Sequence, residues 1–201
     1  MQTKEKLSKT AISELFYEGC KTTKTIGLEY ERLPIFSTTF KACDYPSEFG
    51  ICNFLRYFAR CENWDYITDD YNIIGLKQDH DTITLEPGCQ IEYSIKPETS
   101  ICALKEKIDF LDKTMKPVLN KFGITLLNYG VSPLSTHKDI HLIPKRRYSI
   151  MAKYLWGILS DVMMRETAGI QCCIDFSSED DAIRKFTLAN KLSPFMTAMF
   201  A

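Results

Sequence analysis

The spacing of apolar residues along the chain changes several times between the period of a helix and the period of a strand. Apolar residues three or four positions apart predict helices over residues 4–19, 46–60, 97–122, 148–162 and 177–190. Short segments rich in β-branched and aromatic residues predict strands over residues 24–33, 72–76, 82–86, 90–95, 124–131 and 168–176. Short turns separate the three middle strands, which predicts an antiparallel meander and an α+β fold.

Glycine, proline and hydroxyl residues mark the ends of these elements. Gly19 and Gly123 are expected to end the first and third helices, and Pro34 to stop the first strand. Pro97 suits the first turn of the third helix. The hydroxyl and acidic residues of segment 177–181 are expected to cap the last helix, because they complement the positive end of its dipole.

Length and composition restrict the class of protein. The chain has 201 residues, of which 45% are apolar, and its net charge is -1, which predicts a single domain over residues 1–201 with a sizeable core. Neither nucleic acid nor a membrane is expected as a partner, because both call for concentrated basic charge. The polar start of the chain predicts a cytoplasmic protein without a signal peptide. Residues 192–201 are apolar, so we expect the N-terminal part of a longer catalytic domain.

The eight cysteines do not follow the spacing of a metal or redox motif. No Cys-x-x-Cys pair occurs, and in a cytosol reduced thiols are the default, so we expect many of them to be small core residues. Cys172 and Cys173 are adjacent in a predicted strand and therefore point to opposite faces. We expect these two thiols to be buried and chemically inert rather than catalytic.

Two predicted strands carry glutamates on one face. Side chains two residues apart in a strand point the same way, so Glu29 and Glu31 lie together, and so do Gln90 and Glu92. If both strands belong to one sheet, the carboxylates raise one another's pKa, and a cation such as Mg2+ removes the repulsion. The alternative is a solvated sheet face, which is ordinary in antiparallel sheets. Glu86 precedes a turn, and we expect it to support the turn or the ligands.

A basic segment lies where the fourth predicted helix begins. Lys145, Arg146 and Arg147 oppose the helix dipole there, at a cost of ~0.3–1 kcal/mol for each exposed residue. A helix N-terminus with adjacent arginines is, by contrast, a binding site for anions such as phosphate. The alternative is a flexible basic loop, because the cost is small and salt screens it.

Several of these segments resemble the glutamate–cysteine ligases of plants and proteobacteria. The resemblance is carried by residues 26–31, 83–94, 144–151 and 170–201, and by Asp175-Phe176-Ser177-Ser178-Glu179-Asp180 with Arg184-Lys185-Phe186 as its most specific stretch. It covers the chain from about residue 15 to residue 201. It implies a catalytic domain similar to that of glutamine synthetase, a curved antiparallel sheet with flanking helices, which this chain contains only incompletely.

The resemblance also implies a reaction and roles for individual residues. Members of this family join the γ-carboxylate of glutamate to the amine of cysteine through γ-glutamyl phosphate, at the expense of ATP, in the first step of glutathione synthesis. ATP and Mg2+ are therefore the implied cofactors, with glutamate and cysteine as substrates. Glu29, Glu31 and Glu92 match the metal-binding acids. The resemblance implies that Lys145 and Arg147 are catalytic. It also implies that the substrate is bound by Gln90, Gln171, Arg147 and Tyr148.

Two departures from the family pattern leave the amine acceptor open. The family often has glycine where Cys89 stands, and it has Val-Gln-Val-Asn where this chain has residues 170–173, so a thiol replaces one cavity amide. The expected function is an ATP-dependent glutamate–cysteine ligase of undetermined oligomeric state. The alternatives are a related carboxylate–amine ligase with another amine acceptor, and a non-catalytic module that binds nucleotide or amino acids.

Overall fold

The structure is a computed structural model that describes residues 8–157 and 159–200. The elements in chain order are α1 (Lys9–Glu18), β1 (Ile26–Phe36), α2 (Ile51–Glu62), β2 (Asp65–Asp69), β3 (Asn72–Gln78), β4 (Asp81–Leu85), β5 (Ile91–Glu98), α3 (Ile101–Phe122), β6 (Ile124–Leu127), α4 (Arg146–Tyr154), α5 (Ser160–Glu166), β7 (Ile170–Ile174) and α6 (Glu179–Phe200). Within these ranges no helix has the length and apolarity needed to cross a membrane.

The strands form one sheet with the order β2-β3-β4-β5-β1-β6, and β7 also pairs with β1. The pairs β2–β3, β3–β4, β4–β5 and β1–β6 are antiparallel. The predicted antiparallel meander is therefore confirmed in β3, β4 and β5, and so is the predicted α+β class. The chain divides into two compact units, one of which contains residues 27–172. The single domain predicted from the length stays a prediction.

Helices α2 and α3 pack against one face of the sheet in the unit of residues 27–172. The side chains with no exposed surface at the centre of this core are Ile51, Phe54, Leu55, Phe58, Leu76, Ile83, Leu85, Ile91, Tyr93 and Met115. On β4 and β5 the buried residues alternate with half-buried ones, because successive strand residues point to opposite faces. The sheet therefore has a helix-covered face and an opposite face.

A buried arginine joins β1 to helix α3. The Arg32 guanidinium donates to Asp112 Oδ1 at 2.5 Å, and the Tyr93 hydroxyl donates to the same oxygen at 3.1 Å. The guanidinium lies 4.6 Å from the Tyr93 ring centroid and 5.1 Å from that of Tyr30. Because a buried charge is costly without a partner, this network holds the Tyr30 and Arg32 face of β1 against α3.

The other unit contains the described residues before position 27 and after position 172. Asp175 accepts hydrogen bonds from the Thr25 backbone and hydroxyl, and its carboxylate lies 3.6 Å from Lys21 Nζ. The Ser178 hydroxyl accepts a hydrogen bond from the Asp181 N–H at 3.2 Å. The predicted hydroxyl cap of the last helix is thus confirmed, although α6 continues through Pro194 to Phe200 rather than ending near residue 190.

Two predicted helix starts are corrected. Helix α2 begins at Ile51 instead of residue 46, since the segment before it forms turns in which the Gly50 N–H donates to the Ser47 carbonyl. Pro97 belongs to β5 rather than to the first turn of α3, and the Ser100 hydroxyl caps α3 instead. Residues 4–7 of the first predicted helix lie outside the described residues.

The fourth predicted helix is two helices. Helix α4 ends at Tyr154, where the chain leaves helical geometry at Leu155, and α5 begins at Ser160. Ile158, which falls within the fourth predicted helix, lies outside the described residues. The predicted end of the third helix is confirmed, because Gly123 adopts the left-handed conformation that terminates α3.

The strands differ from prediction at several places, and β6 ends at Leu127 rather than at residue 131. Pro34 lies inside β1 rather than ending it, because proline lacks only the N–H and its carbonyl still accepts the Cys43 N–H. Strand β2 was not predicted. Strand β7 is exposed along its length, so Cys172 and Cys173 are not buried as expected. Of the eight cysteines only Cys43 and Cys89 are buried, so the expectation of core thiols is confirmed for these two alone, and burial raises the pKa of both.

The Arg32 network predicts that two aspartates of α3 contribute unequally to stability. Asp112→Ala leaves the buried guanidinium without its carboxylate and should lower the free energy of unfolding by about 1–3 kcal/mol. Asp109→Ala on the same helix removes an exposed pair with Lys105 and should lower the free energy of unfolding much less, because solvent screens that pair. Urea denaturation of the two variants measures the difference, and equal losses would contradict the role given to Asp112.

Candidate functional site

The face of the sheet opposite α3 carries the glutamates predicted as metal ligands. Because Tyr30 and Arg32 point to α3, the neighbouring Glu29 and Glu31 of β1 point to the other face. Glu92 of β5 likewise alternates with buried Ile91 and Tyr93. The shared face predicted for these strands is therefore observed, and β5 and β1 are neighbours in the sheet.

Glu31 is held in place by the segment that enters β7. Its Oε2 accepts the Gly169 N–H at 2.8 Å, while its own backbone N–H donates to the Gly169 carbonyl at 2.9 Å. Gln171 Nε2 lies 3.5 Å from Glu31 Oε1. Burial, reinforced by the charges of Glu86 and Glu92, raises the pKa of Glu31. Gln171 therefore lies beside Glu31, and its predicted contact with a substrate stays a prediction.

Glu86 joins Glu31 and Glu92 in an acidic cluster. Burial raises the pKa of Glu86, and the nearby charge of Glu92 raises it further. Glu92 Oε1 accepts the hydroxyls of Thr84 and Ser94, each at 2.9 Å. The sequence predicts Glu86 as a residue that supports the turn or the ligands, and not as one of the metal-binding acids. The pairing of β4 with β5 explains why Glu86 joins the cluster. Thr84 stands opposite Glu92, and Thr84 and Glu86 are two residues apart and point to the same face.

The basic segment reaches this cluster through Tyr148. The buried Tyr148 hydroxyl lies 3.0 Å from both Glu86 Oε1 and the Leu85 carbonyl, and it accepts from Lys145 Nζ at 3.0 Å. Burial and the Glu86 charge raise the pKa of Tyr148. The charges of Lys145 and Arg147 oppose the rise in the pKa of Glu86. The structure therefore brings the predicted basic and acidic residues to one place.

The N-terminus of α4 binds a carboxylate of this chain. The Arg146 N–H donates to Asp69 Oδ2 at 2.7 Å, and Lys145 is the capping position without a side-chain cap of its own. The Asp69 carboxylate thereby compensates the basic residues at the positive end of the helix dipole. Arg146 and Arg147 remain exposed, so their guanidinium groups are accessible to a ligand.

Gln90 has a structural role in this geometry. It is 2% exposed, its Oε1 accepts the Gly88 N–H at 2.7 Å, and its Nε2 donates to the carbonyls of Met164 and Thr167. Its amide is thus committed to the main chain on both sides. The predicted contact of Gln90 with a substrate stays a prediction.

The acidic cluster has the chemistry of a divalent cation site. Three half-buried carboxylates with like-charge coupling are hard oxygen donors of the kind that Mg2+ selects. Glu29 has no side-chain hydrogen bond within residues 8–157 and 159–200, so its carboxylate is available. In those ranges, however, no three acidic, histidine or cysteine side chains lie close enough together to form a metal site as they stand. The assignment of Glu29, Glu31 and Glu92 as ligands stays a prediction.

Comparison with known proteins gives a consistent result. Residues 25–201 match the family described as glutamate-cysteine ligase family 2. The chain is 36% identical over 201 residues to a protein of Medicago truncatula named glutamate–cysteine ligase, chloroplastic, covering 98% of this chain and 39% of that protein. It is also 36% identical over 205 residues to the B form of rice, covering 100% and 41%. The Arabidopsis thaliana protein is 34% identical over 201 residues, covering 98% and 38%.

These relatives correct one expectation and support another. The predicted cytoplasmic location is wrong by this comparison, because the relatives are named as chloroplastic proteins. The chain spans about two fifths of the length of the curated relatives it matches. The family match covers the acidic cluster, the basic segment and β7 alike, and the resemblance inferred from the sequence is confirmed. The chain belongs to glutamate-cysteine ligase family 2.

Proposed function

We propose that this chain contributes the metal- and phosphate-binding part of an ATP-dependent ligase that forms γ-glutamylcysteine from glutamate and cysteine. The observation that carries the proposal is the meeting of the acidic cluster with Lys145, Tyr148 and Arg147 on the sheet face opposite α3. Family membership supports the reaction, and the names of the relatives favour a plastid as the compartment.

In this proposal carboxylates of the sheet bind the cation, and hydrogen bonds from neighbouring residues hold Glu31 and Glu92 in position. Glu29, Glu31 and Glu92 would bind Mg2+, which when bound offsets the charge of the ATP phosphates during transfer. Gly169 fixes one oxygen of Glu31 through its N–H and leaves the other facing Gln171 at 3.5 Å. Thr84 and Ser94 fix Glu92 in the same way. The carboxylates are thereby oriented before any cation arrives.

The basic residues act on the reacting phosphoryl group. The γ-carboxylate of glutamate would take the γ-phosphoryl group of ATP, and the amine nitrogen of cysteine would then bond to the acyl carbon as phosphate leaves with the C–O electron pair. The ammonium loses two protons, one to the leaving phosphate and one to solvent. Arg147 would bind the phosphoryl oxygens, since a guanidinium suits that geometry. Lys145 is held by the Tyr148 hydroxyl and adds positive charge nearby.

The acidic cluster predicts that a neutral residue at position 31 stabilises the protein at neutral pH. A raised pKa in the folded state contributes stability that is present below the ordinary pKa of glutamate, about 4.3, and is lost as pH rises through the raised value. Glu31→Gln removes this loss, so without Mg2+ its unfolding midpoint should exceed that of the unmodified protein at pH 7 and converge with it near pH 4.

Glu98→Gln on the same sheet is the control with the opposite sign. A hydrogen bond from Lys107 lowers the pKa of Glu98, so neutralisation there should not stabilise the protein at pH 7. Thermal unfolding followed by circular dichroism across pH 4–8 compares the two variants. A lower midpoint for Glu31→Gln than for the unmodified protein at pH 7 would contradict the electrostatic account of the cluster.

The two neighbouring arginines predict different effects on nucleotide affinity. Arg147→Gln should weaken binding of ATP with Mg2+ about 10- to 100-fold, the equivalent of a charge-assisted hydrogen bond of ~1.5–3 kcal/mol. Arg146→Gln should change the affinity less, because Arg147 is among the main charges acting on Glu86 of the acidic cluster and Arg146 is not. Isothermal titration calorimetry measures both, and equal weakening would refute the specific role of Arg147.

A further inference from the structure

A buried amide side chain holds the turn between β4 and β5. Gln90 directly precedes β5, stands two residues before Glu92 and is 2% exposed. Its own carbonyl accepts the Glu86 N–H at 2.9 Å, and its Oε1 accepts the Gly88 N–H at 2.7 Å. Gln90 therefore fixes the turn that separates Glu86 from Glu92.

The nitrogen of the same amide reaches the segment between α5 and β7. Gln90 Nε2 donates to the Thr167 carbonyl at 2.8 Å and to the Met164 carbonyl at 3.2 Å. Gly169 follows Thr167 by two residues, and its N–H donates to Glu31 Oε2 at 2.8 Å. Hydrogen bonds and two residues of main chain therefore join Glu31 to the turn that Gln90 holds.

The turn and the end of α5 are in close contact beside Gln90. A Cβ added to Gly88 would lie 2.6 Å from the Arg165 carbonyl oxygen, so only a residue without a side chain fits there. This contact prevents a closer approach of the two segments, and the hydrogen bonds of Gln90 prevent a wider separation. The two segments therefore have one defined spacing.

We propose that Gln90 is a positioning residue that sets the spacing between the carboxylates of Glu31 and Glu92, and so fits the acidic cluster to Mg2+. The proposal rests on the proposed function, and Gln90 acts through main-chain groups rather than by contact with the cation. Mg2+ requires near-ideal octahedral geometry at about 2.0–2.1 Å, whereas Ca2+ accepts irregular geometry at about 2.3–2.6 Å. Loss of the defined spacing therefore weakens Mg2+ binding more than Ca2+ binding.

The ratio of Mg2+ affinity to Ca2+ affinity separates positioning from stability. Gln90→Met keeps the size of the side chain and removes its three hydrogen bonds, so it should weaken Mg2+ binding about tenfold or more and Ca2+ binding much less. NMR titrations of the 15N-labelled chain with each chloride salt measure both affinities. The control Tyr45→Phe removes a half-buried hydrogen bond to the Ile73 carbonyl and should leave the ratio unchanged. A purely structural role lowers both affinities by one factor, and an unchanged ratio in Gln90→Met would overturn the proposal.

Amide hydrogen exchange gives a second measurement that needs no cation. The Glu31 N–H donates to the Gly169 carbonyl at 2.9 Å, so in Gln90→Met it should exchange about tenfold faster relative to the Met115 N–H of the core. An unchanged ratio of these two rates refutes the role of Gln90. Failure of the unmodified chain to bind either cation refutes the proposed function instead. If Gln90→Met does not fold, Gln90→Asn, which is one methylene shorter and loses the span from Gly88 to Thr167, is judged by the same two ratios.

Discussion

The ion pair between Arg32 and Asp112 determines which face of β1 is turned toward helix α3. A strand has a period of two, so a shift of one residue would bury the glutamates and expose the arginine. Only one of these two registers pairs the buried guanidinium of Arg32, because its carboxylate partner lies on α3. The rings of Tyr30 and Tyr93 flank the guanidinium in that register. The glutamates of β1 therefore lie on the face opposite α3 because the positive charge of Arg32 is neutralised on the α3 side.

The two sides of the candidate site are connected by hydrogen bonds rather than by sequence proximity. Tyr148 joins the basic start of α4 to Glu86, and Gly169 joins the start of β7 to Glu31. Burial and like charge raise the pKa of both glutamates, so the site is electrostatically strained without a cation. Such strain is typical of sites that bind metal ions and polyphosphates, and it accounts for the association of acids with bases on one face.

Local patterns predicted much of this structure, and long-range pairing supplied the rest. The period-two spacing of Glu29 and Glu31 correctly gave their common face, and Gly123 correctly marked the end of α3. Strand β2 escaped prediction because it lies at the sheet edge, where exposure removes the apolar signal. The role of Gly169 was invisible from sequence, since its N–H meets Glu31 across 138 positions. The predicted location was overturned by the relatives, not by any feature of the described residues.

A crystal structure of this protein with ATP and Mn2+ in place of Mg2+ tests the central claim most directly. Anomalous scattering identifies the metal positions without assumptions about the ligands. The account predicts metal bound by the carboxylates of Glu31 and Glu92 at about 2.0–2.2 Å, with Arg147 on the phosphates. Metal bound to the phosphates and water alone, with Glu31 and Glu92 facing away from it, would contradict the account.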